Sequence, residues 1–258
     1  LHLEEFSKMI GKEIDRDELV EILLRPGKPH PYRATWMDFL GDTMIEVATK
    51  LENAVHAISP DTQLGLMCSL PEDHSIEGRK WNQLLDALAG NHKPVLRPHF
   101  PPYREESVRD AYWGMDVVRR TLSCVPNNTE ICSEIENFPY TQFGKSIRVT
   151  KLQILLNAIL GHNKNTLNLY DHAGSPLPDD DVYGVMLRET KEQWSGLFRY
   201  CKPCGASKGV GILFSTEIAK YVQTQESGNF SSLSSVGNGW STALEAMGHS
   251  TTYESSDV

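Results

Sequence analysis

The chain has 258 residues, and its 25 lysines and arginines against 34 aspartates and glutamates give a formal net charge of −9. This length can bury a large core, and the acidic balance without a basic block argues against nucleic acid as a partner. No apolar stretch approaches the roughly 20 residues that cross a bilayer, so we also expect no membrane partner. With no targeting segment at the N-terminus, the sequence slightly favours the cytoplasm.

The first third of the chain predicts two helices and a strand. The opening LHLEEFSKMIG has the pattern of an amphipathic helix, and its start in mid-helix without a methionine suggests a fragment or a trimmed chain. Residues 34–58 place apolar side chains three or four apart, which predicts a helix that ends at Ser59 and Pro60. The next apolar run, TQLGLMCSL, is short and flanked by prolines, which predicts a strand buried on both faces.

The same alternation of helix and strand then occurs three more times. Helical patterns at 81–88, 108–122 and 147–159 precede the strand candidates PVLRPHF, TEICSEIEN and NTLNLYDH, and a last helix is predicted at roughly 181–200. Such alternation predicts an α/β fold with βα units around a parallel sheet. Four units are half of a closed (β/α)8 barrel. An open doubly wound sheet is the alternative, but no glycine-rich nucleotide motif follows any of the strands.

The composition changes after Tyr200. We predict a linker at 201–207, then a buried strand in GVGILFS, a polar loop, a helix stopped at Gly248, and a further strand. Residues 208–258 therefore predict the start of a second α/β domain. Of the five cysteines only Cys201 and Cys204, in CKPC, are closely spaced. This pair could be half of a zinc site or a redox pair, but two ordinary loop cysteines are favoured.

The strand candidate TEICSEIEN carries two glutamates. Alternation puts Ile131, Ser133 and Ile135 on one face, and Glu134 and Glu136 on the other. If the apolar face packs on helices, both glutamates point into the barrel. Glu136 then lies at the C-terminal end of its strand, where the βα loops of a barrel build the active site. The alternative is a carboxylate with a structural partner, or a strand end that reaches solvent.

The deeper glutamate, Glu134, is predicted to support Glu136. Neighbours on one strand project in parallel, whereas the two carboxylates of a glycosidase flank the scissile bond from different sides. We therefore expect Glu134 to bond an inward arginine or histidine. Further candidates for binding a sugar are Arg97 and His99 on one strand and Tyr170 and His172 on another. Each of these residues alone could instead be a core or rim residue.

Five segments resemble family 42 type β-galactosidases, which are retaining glycoside hydrolases with a (β/α)8 barrel. HLEEFSKMIG resembles the helix after the fourth strand of that family, and residues 36–67 resemble its next helix and fifth strand. EIENFP resembles the seventh-strand motif and aligns Glu136 with the catalytic nucleophile. KGVGILFS and GWSTALEAMGHSTTY are similar to the start of the flavodoxin-like domain through which such enzymes form trimers.

The resemblance implies that residues 1–200 are the second half of a TIM-barrel glycosidase domain, with strands 5 to 8, and that residues 208–258 begin a truncated flavodoxin-like domain. It implies a carbohydrate substrate, no metal or other cofactor, and a homotrimer in the full-length protein. The family's acid/base glutamate would precede Leu1, so the fragment alone should be inactive. The segment LYDHAG departs from true β-galactosidases, which favours another glycoside. A carbohydrate-binding or regulatory barrel and a structural oligomerisation module are the alternatives.

Overall fold

The computed structural model describes residues 2–106, 109–138, 144–162, 164–170, 182–200, 208–224, 229–234 and 239–255. The fold is mixed α/β. The helices are α1 (His2–Ile10), α2 (Arg16–Leu24), α3 (Tyr32–His56), α4 (Pro71–Ile76), α5 (Trp81–Ala89), α6 (Arg109–Leu122), α7 (Ile147–Ile159), α8 (Val182–Tyr200), α9 (Ile218–Tyr221) and α10 (Gly239–Ala246). The strands are β1 (Leu66–Met67), β2 (Val95–Arg97), β3 (Glu130–Glu136), β4 (Lys164–Asn168), β5 (Val210–Phe214) and β6 (Thr251–Ser255).

Strands β1 to β4 form one parallel sheet in sequence order. Each strand is joined to the next by one or two helices, as the alternating pattern predicts. The register pairs Leu66 with Leu96 and Glu136 with Asn168. Because side chains paired across parallel strands share a face, Glu136 and Asn168 project on the same side of the sheet.

The main core lies between this sheet and the helices that follow its strands. Phe100, Val118, Ile135, Ile154 and Leu169 are buried together. Burying one such side chain stabilises the folded state by roughly 1.5 to 3 kcal/mol. Since Ile135 is fully buried on the helical side, the carboxylates on either side of it in β3 face away from the helices. The predicted division of β3 into two faces is confirmed.

The first strand differs from its prediction. β1 has two residues only, and the side chain of Met67 is 64% exposed, so burial on both faces was wrong. The reason is the position of β1 at one edge of the described sheet, where β2 alone pairs with it. β5 was also predicted as buried, but Leu213 is 77% exposed and only Phe214 is buried in that strand. One face of the two-stranded sheet packs on the rest of the described chain, and the other face does not.

Helix ends follow local chemistry. The side chain of Ser146 caps α7 by accepting a hydrogen bond from the N–H of Val149 at 3.2 Å. At the end of α10, the N–H of His249 bonds the carbonyl of Leu244 at 3.0 Å, and Gly248 has a φ of +85°. Only glycine adopts this conformation without strain, so the predicted stop at Gly248 is confirmed.

Residues 208–255 pack closely on the N-terminal part. Arg33 donates from Nη1 to the carbonyl of Val222 at 2.7 Å, and Lys220 Nζ lies 2.7 Å from Asp38 Oδ1. Leu233 is fully buried among residues of α1, α2 and α3. The predicted linker 201–207 lies outside the described residues, so the division into two domains stays a prediction. None of the described helices is long and apolar enough to cross a membrane.

Candidate active site

An open recess of about 270 Å³ lies at the C-terminal ends of β1, β2 and β3. Its walls come from the segment after β1, from the end of β2 with its following loop, and from the two glutamates of β3. The C-terminal edge of a parallel sheet is where α/β proteins bind ligands, because the loops there are free to vary around a rigid sheet. The recess is therefore the candidate active site.

Glu134 is firmly held in the wall of the recess. Its Oε1 lies 2.6 Å from Arg97 Nη1, and its Oε2 accepts a hydrogen bond from the hydroxyl of Tyr103. The Glu134 side chain is 12% exposed, so both contacts are partly shielded from water and are stronger than a surface ion pair. The predicted contact of Glu134 with an inward arginine is present.

A second hydrogen bond fixes the state of His99. The Tyr103 hydroxyl lies 2.7 Å from His99 Nδ1, and its single proton is donated to Glu134. His99 must then donate its Nδ1 proton to the tyrosine oxygen. Burial lowers the pKa of His99, so the ring is neutral at pH 7. Its Nε2 therefore carries a lone pair and can accept a hydrogen bond from a ligand.

The loop that carries Tyr103 is packed tightly against α6. A Cβ atom on Gly114 of this helix would lie 1.8 Å from the carbonyl oxygen of Pro101, so only glycine permits the approach. Phe100, which directly precedes Pro101, is fully buried in the main core. Packing at Phe100 and Pro101 thus fixes the start of the loop that carries Tyr103.

Among the described residues, Glu136 has fewer side-chain partners than Glu134. Its Oε2 accepts one hydrogen bond, from Asn168 Nδ2 at 3.2 Å. Its backbone carbonyl accepts a bond from Lys145 Nζ at 2.7 Å, and Lys145 also donates to Gln153 Oε1 at 2.7 Å. Burial lowers the pKa of Lys145 to about 8, although the charge of Glu136 opposes this shift. Glu136 is therefore anchored through its backbone, and its carboxylate lines the recess.

Of the residues predicted for the site, Arg97, His99, Glu134 and Glu136 line one recess. Tyr170 does not join them. Its ring packs on Tyr183 with the ring centres 5.4 Å apart, next to the main core. His172 lies outside the described residues. The binding roles assigned to all these residues stay predictions.

The sequence analysis missed five lining residues, Met67, Cys68, Ser69, His74 and Tyr103. Tyr103 has no periodic signal because it lies in the loop after β2, although loops at strand ends carry many functional residues. His74 lies on the short helix α4, where its Nε2 accepts the N–H of Ser69 at 2.9 Å. Cys68 also lines the recess, and burial raises the pKa of its thiol to about 11. Cys68 is thus a protonated thiol at neutral pH and a poor nucleophile.

Comparisons with known proteins assign no family. No family model matches the chain, and no curated protein matches it. Within the described ranges, no group of three or more His, Cys, Asp and Glu side chains could hold a metal ion. The CKPC pair lies outside those ranges. The chemistry of the site thus has to be argued from the recess itself: an accessible carboxylate, a paired carboxylate and a neutral imidazole.

Proposed function

We propose that the protein is a retaining hydrolase of a β-glycoside, with Glu136 as the nucleophile. The observation that carries the proposal is the contrast between the two glutamates of the recess. Each carboxylate oxygen of Glu134 is bonded, one by Arg97 and the other by Tyr103, whereas among the described residues a single amide hydrogen bond reaches the Glu136 carboxylate, which lines the recess at the end of its strand. A nucleophile requires such a carboxylate, fixed in place and open on one side.

The reaction takes two displacements at the anomeric carbon. In the first, a Glu136 carboxylate oxygen forms a bond to the anomeric carbon, the glycosidic C–O bond breaks, and a general acid protonates the leaving oxygen. In the second, that group removes a proton from water, the water oxygen bonds to the anomeric carbon, and the ester bond to Glu136 breaks. The net result is hydrolysis with retained configuration.

The general acid has to come from another segment. Retention requires the two carboxyl groups to lie roughly 5 to 5.5 Å apart on opposite sides of the bond. Glu134 lies on the same strand as Glu136 and is paired with Arg97. It therefore cannot face Glu136 from the other side of a sugar. The resemblance to family 42 implies an Asn-Glu pair on a strand that precedes Leu1. In the longer protein that this implies, Glu134, Arg97 and His99 position the substrate.

The parallel order of β1 to β4 supports the finer fold assignment that goes with this function. Sequential parallel strands joined by helices are what the second half of a (β/α)8 barrel requires. The parallel pair β5 and β6, joined by α9 and α10, is what the start of a flavodoxin-like domain requires. We propose both assignments, together with trimer formation through the second domain.

Covalent labelling tests the proposed nucleophile. A panel of 2-deoxy-2-fluoro glycosides is incubated with the longer protein, and any adduct is mapped by peptide mass spectrometry. We expect one sugar residue on Glu136, no labelling of Glu136→Gln, and retained labelling of Glu134→Gln at a reduced rate. An adduct on Glu134 would overturn the assignment of the two glutamates.

A carbohydrate-binding barrel without catalysis is the second candidate. The observation that favours it is the lack, among the described residues of the recess, of a second accessible carboxylate that faces Glu136. The same experiment separates the two functions. Saturable sugar binding with no adduct from any fluoroglycoside would support binding alone and would count against hydrolysis.

A further inference from the structure

A row of bonded polar side chains runs along the wall of the recess. Arg97 Nη1 lies 2.6 Å from Glu134 Oε1. The Tyr103 hydroxyl donates to Glu134 Oε2 and lies 2.7 Å from His99 Nδ1. The row joins the end of β2, the loop that follows it and β3, and all four residues line the recess. Its last member, His99, is therefore in reach of a ligand.

The direction of each hydrogen bond in this row is set by its charged end. An arginine only donates and a carboxylate only accepts, so both oxygens of Glu134 are acceptors. The single hydroxyl proton of Tyr103 therefore points to Glu134, and the tyrosine oxygen presents a lone pair to His99. The opposite direction would leave the tyrosine and carboxylate oxygens in contact with no proton between them, which is costly in a partly buried site.

The ring of His99 ends the row as an acceptor. It donates its Nδ1 proton to Tyr103, and burial lowers its pKa, so at pH 7 no second proton is bound and Nε2 keeps a lone pair. Nε2 has no hydrogen-bond partner among the described residues, and it is not one of their buried unpaired atoms. The side chain is 23% exposed. Nε2 is thus open to a ligand in the recess.

A ligand atom that meets this nitrogen has to donate a hydrogen bond. A hydroxyl group donates one, whereas an ether oxygen, a ketone oxygen or a fluorine has only lone pairs. Such a group would displace water from His99 Nε2 and leave it without a donor, and the lost hydrogen bond would weaken binding. The direction of the protons in the row therefore bears on which ligands the recess accepts.

We propose that Glu134 and Tyr103 are positioning residues that make His99 a hydrogen-bond acceptor, and that His99 selects a ligand with a free hydroxyl opposite its Nε2. The inference rests on the proposed function in taking this ligand to be a β-glycoside. The site then rejects a sugar whose hydroxyl at this one position is replaced by fluorine or is linked to another group.

Glu134→Gln should reverse the row without changing its shape. Because Arg97 only donates, the amide oxygen that the substitution introduces has to face it, and the amide NH2 group then faces Tyr103. The tyrosine oxygen accepts from this amide and its proton points to His99 Nδ1. His99 then carries its proton on Nε2 and becomes a donor. A hydroxyl and a fluorine both accept from such a donor, so the selection for a hydroxyl should be lost.

Calorimetric titration of the longer protein tests the selection. The ligands are the methyl β-glycosides of galactose, glucose, mannose and xylose, each compared with derivatives in which one hydroxyl is replaced by fluorine. Every protein carries Glu136→Gln, so that no sugar is hydrolysed during the titration. We expect one position at which fluorine weakens binding at least about tenfold, and Glu134→Gln should reduce this ratio to less than about threefold.

Glu245→Gln is the matched control, because Glu245 also has an arginine and a tyrosine as partners but does not line the recess. It should leave the ratio unchanged. Equal ratios for Glu134→Gln and Glu245→Gln, no position that discriminates, or no binding of any of the sugars would overturn the inference.

The outcome is separable from that of the proposed hydrolysis. A covalent adduct on Glu136 together with equal ratios would leave the hydrolysis standing and remove only the selection by His99. A ratio that Glu134→Gln lowers, with no adduct from any fluoroglycoside, would support the selection and count against hydrolysis.

Discussion

Two glutamates in different regions of the molecule have the same kinds of partner and nearly the same burial. Glu134 in the recess is bonded by Arg97 and Tyr103 and is 12% exposed. Glu245 on α10 is bonded by Arg119 Nη1 at 2.6 Å and by the Tyr112 hydroxyl, both on α6, and is 14% exposed. A carboxylate held by an arginine and a tyrosine therefore does not by itself mark an active site.

The difference between the regions lies in what surrounds each glutamate. Thr251 of β6 adds a third donor to Glu245, so this carboxylate joins α6, α10 and β6 in a closed interface. Glu134 instead adjoins an open recess with a second, sparsely bonded carboxylate, Glu136, two residues along the strand. A sparsely bonded second carboxylate is what the proposed function requires of the recess.

Replacement of Glu136 should produce the largest effect on activity. If the longer protein hydrolyses a glycoside, Glu136→Gln should lower kcat by about 10³-fold or more, because the nucleophile is lost. The free energy of unfolding should change by less than about 0.5 kcal/mol, since only the hydrogen bond from the Asn168 amide to this side chain is altered. Glu130→Gln, at the opposite end of the same strand, is the matched control for kcat. Equal kcat values for the two variants would remove Glu136 from the mechanism.

Replacement of Lys145 should have the largest effect on stability. Lys145→Met leaves the carbonyl of Glu136 and the amide of Gln153 without their donor, at a cost of about 2 to 4 kcal/mol in denaturant unfolding at pH 7. Lys151→Met removes a half-buried lysine of α7, whose ion pair with the exposed Glu189 spans 3.5 Å, and should cost less than about 1 kcal/mol. Similar costs for the two variants would show that Lys145 does not support the recess.

The pH dependence of the Lys145 effect has a definite sign. The folded-state pKa is about 8, below the 10.5 of an unperturbed lysine. Between these values the unfolded chain binds a proton that the folded chain lacks, so the wild-type stability from this group rises with pH. The difference in the free energy of unfolding between the wild type and Lys145→Met should increase above pH 8, by up to about 1.4 kcal/mol per pH unit.

The sequence predicts the elements and the faces of the site better than its contacts. Hydrophobic spacing predicts α7 and the two faces of β3 because these patterns are local. Tyr103 could not be predicted as a partner of Glu134, since 31 residues separate the two and Tyr103 lies in a loop that has no periodic pattern. The contact of Tyr112 with Glu245 spans 133 residues and depends on how residues 208–255 pack on α6.

Removal of the interface carboxylate should affect stability alone. Burial by itself would raise the pKa of Glu245, but hydrogen bonds from Arg119, Thr251 and Tyr112 outweigh burial and lower it. Glu245→Gln should therefore cost about 1 to 3 kcal/mol at pH 7 without changing kcat. Because the folded-state pKa is lowered, this cost should disappear as the pH falls through that pKa. Glu254→Gln, on an exposed position of β6, is the control.

The smallest expected effects come from a matched pair of tyrosines, and they test the comparison most directly. Tyr103→Phe and Tyr112→Phe each remove one hydroxyl that donates to a glutamate, so each should cost about 1 kcal/mol in the free energy of unfolding. Tyr103→Phe alone should also lower kcat about tenfold, because His99 and Glu134 lose the hydroxyl that joins them. If both variants changed stability equally and neither changed kcat, Glu134 and Glu245 would be equivalent structural groups. Tyr103 would then make no contribution to catalysis in the recess.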